Sequence, residues 1–120
     1  MFCNKTSFKK KYSFSERQNE STKILNKYSD RIPIICEQKL NDNTPLIDKT
    51  KYLVPNDLTI AQFLYVIRKR MKLSSEKALF ICIGNCIPSS TLTVLSAYDQ
   101  YQDEDGFLYV TYTSENTFGN

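Results

Sequence analysis

The sequence predicts an α+β fold, a four-stranded mixed sheet crossed by one helix and preceded by two N-terminal helices. Three observations carry that expectation. Four short runs have strand character, a strongly periodic helical stretch falls between the second and third of them, and a helix-capping pattern opens the N-terminal region. The 120 residues suit one domain that can bury a core without staples, and 41% hydrophobic with 24% charged content excludes disorder over the whole length.

The elements follow in order. "SFKKKYSFSERQNESTKILNKYSD" reads as helix in one or two pieces: Ser13 and Glu16 have capping-box spacing, and Ile24 and Tyr28 lie four apart on one face. "RIPIICE" alternates, with Ile32, Ile34 and Cys36 on one side and Arg31, Pro33, Ile35 and Glu37 on the other. That is a strand, and Pro33 argues against an interior place in the sheet. After the polar "QKLNDNTPLID" comes a second strand, "KYLVP". In "NDLTIAQFLYVIRKRM", Thr59 and Gln62 can close a capping box, while Ile60, Phe63, Leu64, Ile67 and Met71 form an apolar stripe. "ALFICIG" is nearly all apolar and reads as a buried central strand. "GNCIP" is a turn, "SSTLTVLSAYDQY" a short helix carrying Leu92, Leu95 and Tyr98, and "GFLYVTY" the last strand. Without the first two helices the order is ββαβ(α)β, that of a ubiquitin-like β-grasp.

Charge is unevenly spread. Lys and Arg outnumber Asp and Glu nine to four over residues 1–40 and seven to four over 41–95, whereas residues 96–120 hold five acids and no base. A basic body favours acidic partners. Nucleic acid is not expected, because the aromatics fall at strand and helix spacing and are not interleaved with a basic run. "MFCNKTSFKKKY" lacks the apolar core of a signal peptide, and no run is long enough to span a membrane. Four cysteines (Cys3, Cys36, Cys82 and Cys86) then point to reduced thiols in the cytoplasm. Their spacing is not that of paired zinc ligands, so no metal and no cofactor is expected. The chain has no histidine, which removes Ser-His-Asp and Cys-His catalysis, and an enzyme is not expected.

At "DRIPIICE", "KYLVPNDLTIAQFLYVIRKRM" and "DEDGFLYVTYTSENTFG" the chain resembles the GABARAP-like autophagy ubiquitin-like modifiers, over about Ser7 to Asn120. The resemblance implies a β-grasp core over 31–112, a helical extension packed on it over 1–30, and a flexible tail over 113–120. It implies cleavage after Gly119 by a cysteine protease, removal of Asn120, passage through activating and conjugating enzymes, and attachment to phosphatidylethanolamine. The protein would then divide between cytoplasm and autophagosome membrane. A glycine carbonyl carries no side-chain shield, which suits narrow enzyme channels. The rival reading is a β-grasp adaptor that binds peptides in vesicle trafficking without being conjugated.

The same resemblance implies a face that reads receptor and adaptor motifs, an aromatic residue with an aliphatic one three positions later. The aromatic pocket would use Glu20, Ile24, Pro33, Lys51, Leu53 and Phe107. The aliphatic pocket would use Tyr52, Val54, Pro55, Leu58, Phe63, Val66 and Ile67, and Arg31, Lys49 and Arg70 would meet acidic flanks. Strand alternation puts Lys51, Leu53 and Pro55 on one side of "KYLVP" and Tyr52 and Val54 on the other. Phe63 and Ile67 also lie on a helix stripe that reads as core in any β-grasp. "RQNEST" and Thr50 depart from the more basic residues usual in the family.

Overall fold

The computed structural model describes residues 7–115, and its elements keep the predicted order. The N-terminal region forms two helices, α1 (Phe8–Lys11) and α2 (Phe14–Lys27). Ser7 caps the first; Ser13 and Glu16 form the full capping box of the second. Then follow β1 (Arg31–Gln38), β2 (Lys51–Pro55), α3 (Ile60–Met71), β3 (Phe80–Cys82), α4 (Val94–Tyr101) and β4 (Leu108–Thr113). Thr59 and Gln62 close a capping box on α3, as their spacing predicts.

The strands lie in the order β2-β1-β4-β3. β1 runs parallel to β4, with Ile34 opposite Leu108, and antiparallel to β2, with Ile34 opposite Tyr52. β3 is antiparallel to β4, with Ile81 opposite Tyr112. The sheet is mixed because the β1–β4 pair joins the two ends of the chain's core.

Three expectations change. β1 is interior despite Pro33. The Cys36 N–H donates to the Thr50 carbonyl on the β2 side, so alternation turns the odd-numbered amides toward β4. The β4 ladder begins only at Ile34 opposite Leu108, so the missing proline N–H falls just before it. β3 is an edge strand of three residues, not a central one. Its apolar character comes from Leu79, Ile81 and Ile83 packing into the main core, and an apolar run reports covered faces and not the number of strand neighbours. In α4 the buried residues are Val94, Ala97 and Tyr98, while Leu95 is 40% exposed and Leu92 precedes the helix. Thr93 caps α4, which sets the inward phase one residue away from the predicted stripe.

Each sheet face has its own core. Ile32, Ile34, Cys36, Tyr52, Val54, Leu108, Val110 and Tyr112 point toward α3 and α4 and join Ile60, Phe63 and Ile67. The opposite face packs Ile35 and Phe107 against Ile24 of α2, with Phe8, Tyr28, Leu53 and Tyr109 around them.

Candidate functional site

Among the described residues β2 lies at the edge of the sheet, paired on one side by β1 and without a strand neighbour on the other. Its alternation is as predicted: Tyr52 and Val54 are buried in the main core, and Lys51 and Leu53 are half-buried on the α2 face. Lys51 Nζ donates to Glu20 Oε2 at 2.5 Å, tying strand to helix across a solvent-open gap. Beside this pair lies a cavity of about 270 Å³ lined by Phe8, Tyr12, Glu16, Arg17, Glu20 and Lys51. Apolar rings with a few fixed charges at the mouth are what a side-chain pocket requires.

The six residues expected for the aromatic pocket come together on this face. Ile24, Phe107 and Leu53 pack in one cluster, Pro33 is buried on the same side of β1, and Glu20 and Lys51 form the rim pair. Beneath them the fully buried Asp105 organises the floor. Its carboxylate accepts from Arg17 Nη1 at 2.6 Å, the Tyr109 hydroxyl at 2.5 Å and the Phe107 N–H at 2.9 Å, and its carbonyl accepts from Ser21 Oγ at 2.5 Å. Burial and the Asp105 hydrogen bond together lift the Tyr109 hydroxyl above the usual phenol range. Gly106 takes φ 91°, and a Cβ there would run into Ser21 Oγ, so the close approach of α2 to this turn needs glycine.

The seven residues expected for the aliphatic pocket separate by depth. Tyr52, Val54, Phe63 and Ile67 are buried, with the Tyr52 and Phe63 rings edge to face at 5.7 Å. Leu58 is half-buried, Pro55 is exposed and Val66 is 41% exposed. The first four form a floor and the last three a surface. Burial pushes the Tyr52 hydroxyl above the phenol range, and its oxygen has no hydrogen-bond partner among the described residues. The three flanking cations are engaged in different ways. Lys49 Nζ sits 5.2 Å from the centre of the Tyr52 ring, Arg70 Nε donates to Asp48 Oδ1 at 2.9 Å, and Arg31 Nη1 donates to the Leu53 carbonyl at 3.2 Å.

The end of β4 is tied to the loop between β1 and β2. Asp42, in the loop between β1 and β2, accepts from Thr113 Oγ1 at 2.7 Å and the Ser114 N–H at 3.0 Å, and from Thr44 through both N–H and hydroxyl. Burial raises its pKa, but these hydrogen bonds outweigh burial and hold it well below the usual carboxylate range. Gly119 and Asn120, expected to carry cleavage and conjugation, lie outside the described residues, as does Cys3.

The chain matches known proteins over nearly its whole length. The family model "Autophagy protein Atg8 ubiquitin like" covers residues 16–119. The chain belongs to the Atg8 family. Autophagy-related protein 8 of Mycosarcoma maydis is 51% identical over 115 residues, which are 96% of this chain and 98% of that protein. Its counterpart in Kluyveromyces lactis is 52% identical over 116 residues, 97% of this chain and 94% of the relative. The crystal structure of Trypanosoma brucei ATG8 superposes with a TM-score of 0.87 at 41% identity, covering 95% of this chain and 98% of that one. This Atg8-family chain is accordingly a ubiquitin-like autophagy modifier.

Sequence reasoning did not anticipate part of the cavity's lining in this Atg8 chain. Phe8, Tyr12, Glu16 and Arg17 line the cavity but were not among the expected pocket residues. The signal was present in "SFKKKY", where Phe8 and Tyr12 stand four apart and their rings meet at 5.0 Å. Asp105 gave no such signal, because a carboxylate in a turn reads as solvated until its partners are seen. Cys36 and Cys82 are buried, as their strand positions implied, and burial raises both thiols; Cys86 is exposed. Among the described residues, no helix is long and apolar enough to cross a membrane.

Proposed function

We propose that this modifier is processed after Gly119, joined there to phosphatidylethanolamine, and used on autophagosomal membranes to hold receptors and adaptors by short aromatic-x-x-aliphatic motifs. The single observation that carries the peptide-reading part is the outer edge of β2, strandless among the described residues, beside the charged-rim cavity. A ligand strand added there gains main-chain hydrogen bonds, and its alternate side chains reach down on both sides of β2. The aromatic would enter toward Ile24, Leu53 and Phe107 between Glu20 and Lys51. The aliphatic residue would rest on Pro55, Leu58 and Val66 above the Tyr52, Val54, Phe63 and Ile67 floor.

The membrane part rests on family membership and on the terminal Phe118-Gly119-Asn120. The chain provides a glycine carboxyl, Asn120 blocks it until a cysteine protease removes it, and activating and conjugating enzymes provide the nucleophilic thiols. Burial at about 0.8 kcal/mol per lipid CH₂ lets two acyl chains anchor a protein that one chain would hold only reversibly. The protein then moves between cytoplasm and autophagosome membrane with its lipidation state.

Expression in cells with the conjugation machinery tests this. The wild type loses Asn120 and enters the membrane fraction, while Gly119→Ala stays soluble; equal membrane association of the two defeats the conjugation reading and leaves the unconjugated adaptor. On the peptide side, Leu53→Ser should weaken a motif peptide roughly tenfold, the scale of one lost apolar contact of about 1.4 kcal/mol. Unchanged affinity would move the motif site elsewhere.

A further inference from the structure

The outer edge of β2 offers few main-chain groups. The Cys36 N–H donates to the Thr50 carbonyl at 2.9 Å and the Asn56 N–H to the Asp30 carbonyl at 2.9 Å, so the even-numbered residues of β2 turn their main chain toward β1. Lys51, Leu53 and Pro55 therefore face outward. Pro55 has no N–H, and its carbonyl accepts from the Leu58 N–H at 3.1 Å. What a ligand strand can use is the N–H and carbonyl of Lys51 and of Leu53. The Leu53 carbonyl is already capped, by Arg31 Nη1 at 3.2 Å.

We propose that Arg31 is a specificity gate on this edge: it caps the Leu53 carbonyl until a ligand carboxylate draws the guanidinium away and uncovers the acceptor. This rests on the reading of β2 as the peptide site and adds a rule for which peptides it takes. Arg31 is exposed at the start of β1, opposite Pro55, so its side chain can swing from the carbonyl to an incoming acid without repacking the core. A guanidinium bound to a carboxylate forms two charge-assisted hydrogen bonds, roughly twice as strong each as a neutral one, and so leaves a lone carbonyl for it. A motif with no acid must share the Leu53 carbonyl with the guanidinium or displace it, and gains less from its own bond there.

The gate makes a prediction of sign that a plain charge contact does not. The experiment uses the full chain, as wild type and Arg31→Ala, and two synthetic aromatic-x-x-aliphatic peptides that differ only in carrying two glutamates or two alanines before the aromatic. Fluorescence anisotropy gives the affinities, and the ¹³C shift of the Leu53 carbonyl reads the cap without peptide. Arg31→Ala should weaken the glutamate peptide about fivefold and tighten the alanine peptide about twofold, the scale of one exposed charged hydrogen bond. It should also move the Leu53 carbonyl shift in the free chain. An alanine peptide that binds the variant equally or more weakly overturns the gate, as does an unmoved shift. If neither peptide binds the wild type while the shift still moves, the peptide-site reading has failed and the gate falls with it, though the cap itself stands.

Discussion

Under α3 and α4 the sheet buries an almost wholly apolar core, from Ile32 to Tyr112, whereas under α2 the opposite face buries a smaller set, Ile24, Pro33, Ile35 and Phe107, and is completed by Asp105, Arg17 and Ser21. The difference is one of division of labour. Apolar burial near 25 cal/mol per Å² holds the larger core in one arrangement. The smaller face is fastened by directional bonds, leaving half-buried Leu53, Lys51 and Glu20 beside an open cavity. A fold that must stay intact while a ligand enters benefits from that asymmetry, since one face can yield locally while the other remains closed.

The comparison is broken most directly at Phe63. Phe63→Ala removes a ring that is 1% exposed and touches Tyr52 edge to face, and should cost about 3–5 kcal/mol in denaturant unfolding. A loss below about 1 kcal/mol would mean that the α3 face is not the main source of stability. Arg17→Ala comes next. It removes one of three donors to buried Asp105 but leaves the Tyr109 hydroxyl and the Phe107 N–H in place, so the expected cost is about 2–3 kcal/mol. If Arg17→Ala equals or exceeds Phe63→Ala, the polar staple and not the apolar core anchors the molecule.

Asp42 sharpens the contrast through pH. Its folded pKa lies below the unfolded value near 3.9, so its stabilisation is complete above that value and is lost as pH falls through the folded pKa. The stability gap between wild type and Asp42→Asn should hold steady at about 1–2 kcal/mol above roughly pH 5 and shrink below roughly pH 4. A gap independent of pH would show that the Thr113 and Ser114 bonds do not require the charged form. The same clip decides where the chain is held before Glu115, and amide exchange at Ser114 should rise in the variant.

Most of the architecture could be read from local patterns because each pattern had one physical cause. The capping boxes at Ser13 and Thr59 and the stripe through Ile60, Phe63 and Ile67 are set by residues within a turn or two of each other. What escaped depended on distant partners. Whether β3 is central or at the edge is decided by which strands lie beside it, and Pro33 was acceptable because of where the β4 ladder begins, some 75 residues later in the chain. The site divided in the same way. That Lys51 and Leu53 share the side of β2 opposite Tyr52 and Val54 was legible from strand alternation, but the α1 wall of the cavity and the Asp105 network beneath it rest on contacts spanning most of the chain.

The smallest expected effect on stability belongs to the pair at the cavity rim. Lys51 and Glu20 meet at 2.5 Å, but both side chains are about 40% exposed, and ion pairs in that setting contribute at most about 1 kcal/mol. Glu20→Gln should therefore shift unfolding by less than about 0.5 kcal/mol while leaving Lys51 free to meet an acidic ligand. Its effect on peptide binding should be the larger of the two: affinity for an acid-flanked motif should rise about two- to threefold at low salt and converge on wild type as salt screens the contact. Because stability and affinity are read separately, the two faces can be told apart at a single residue. A substitution that destabilised the fold without changing affinity would place Glu20 with the staple of Arg17 and Asp105, and would move the boundary between holding and reading outward to the rim itself.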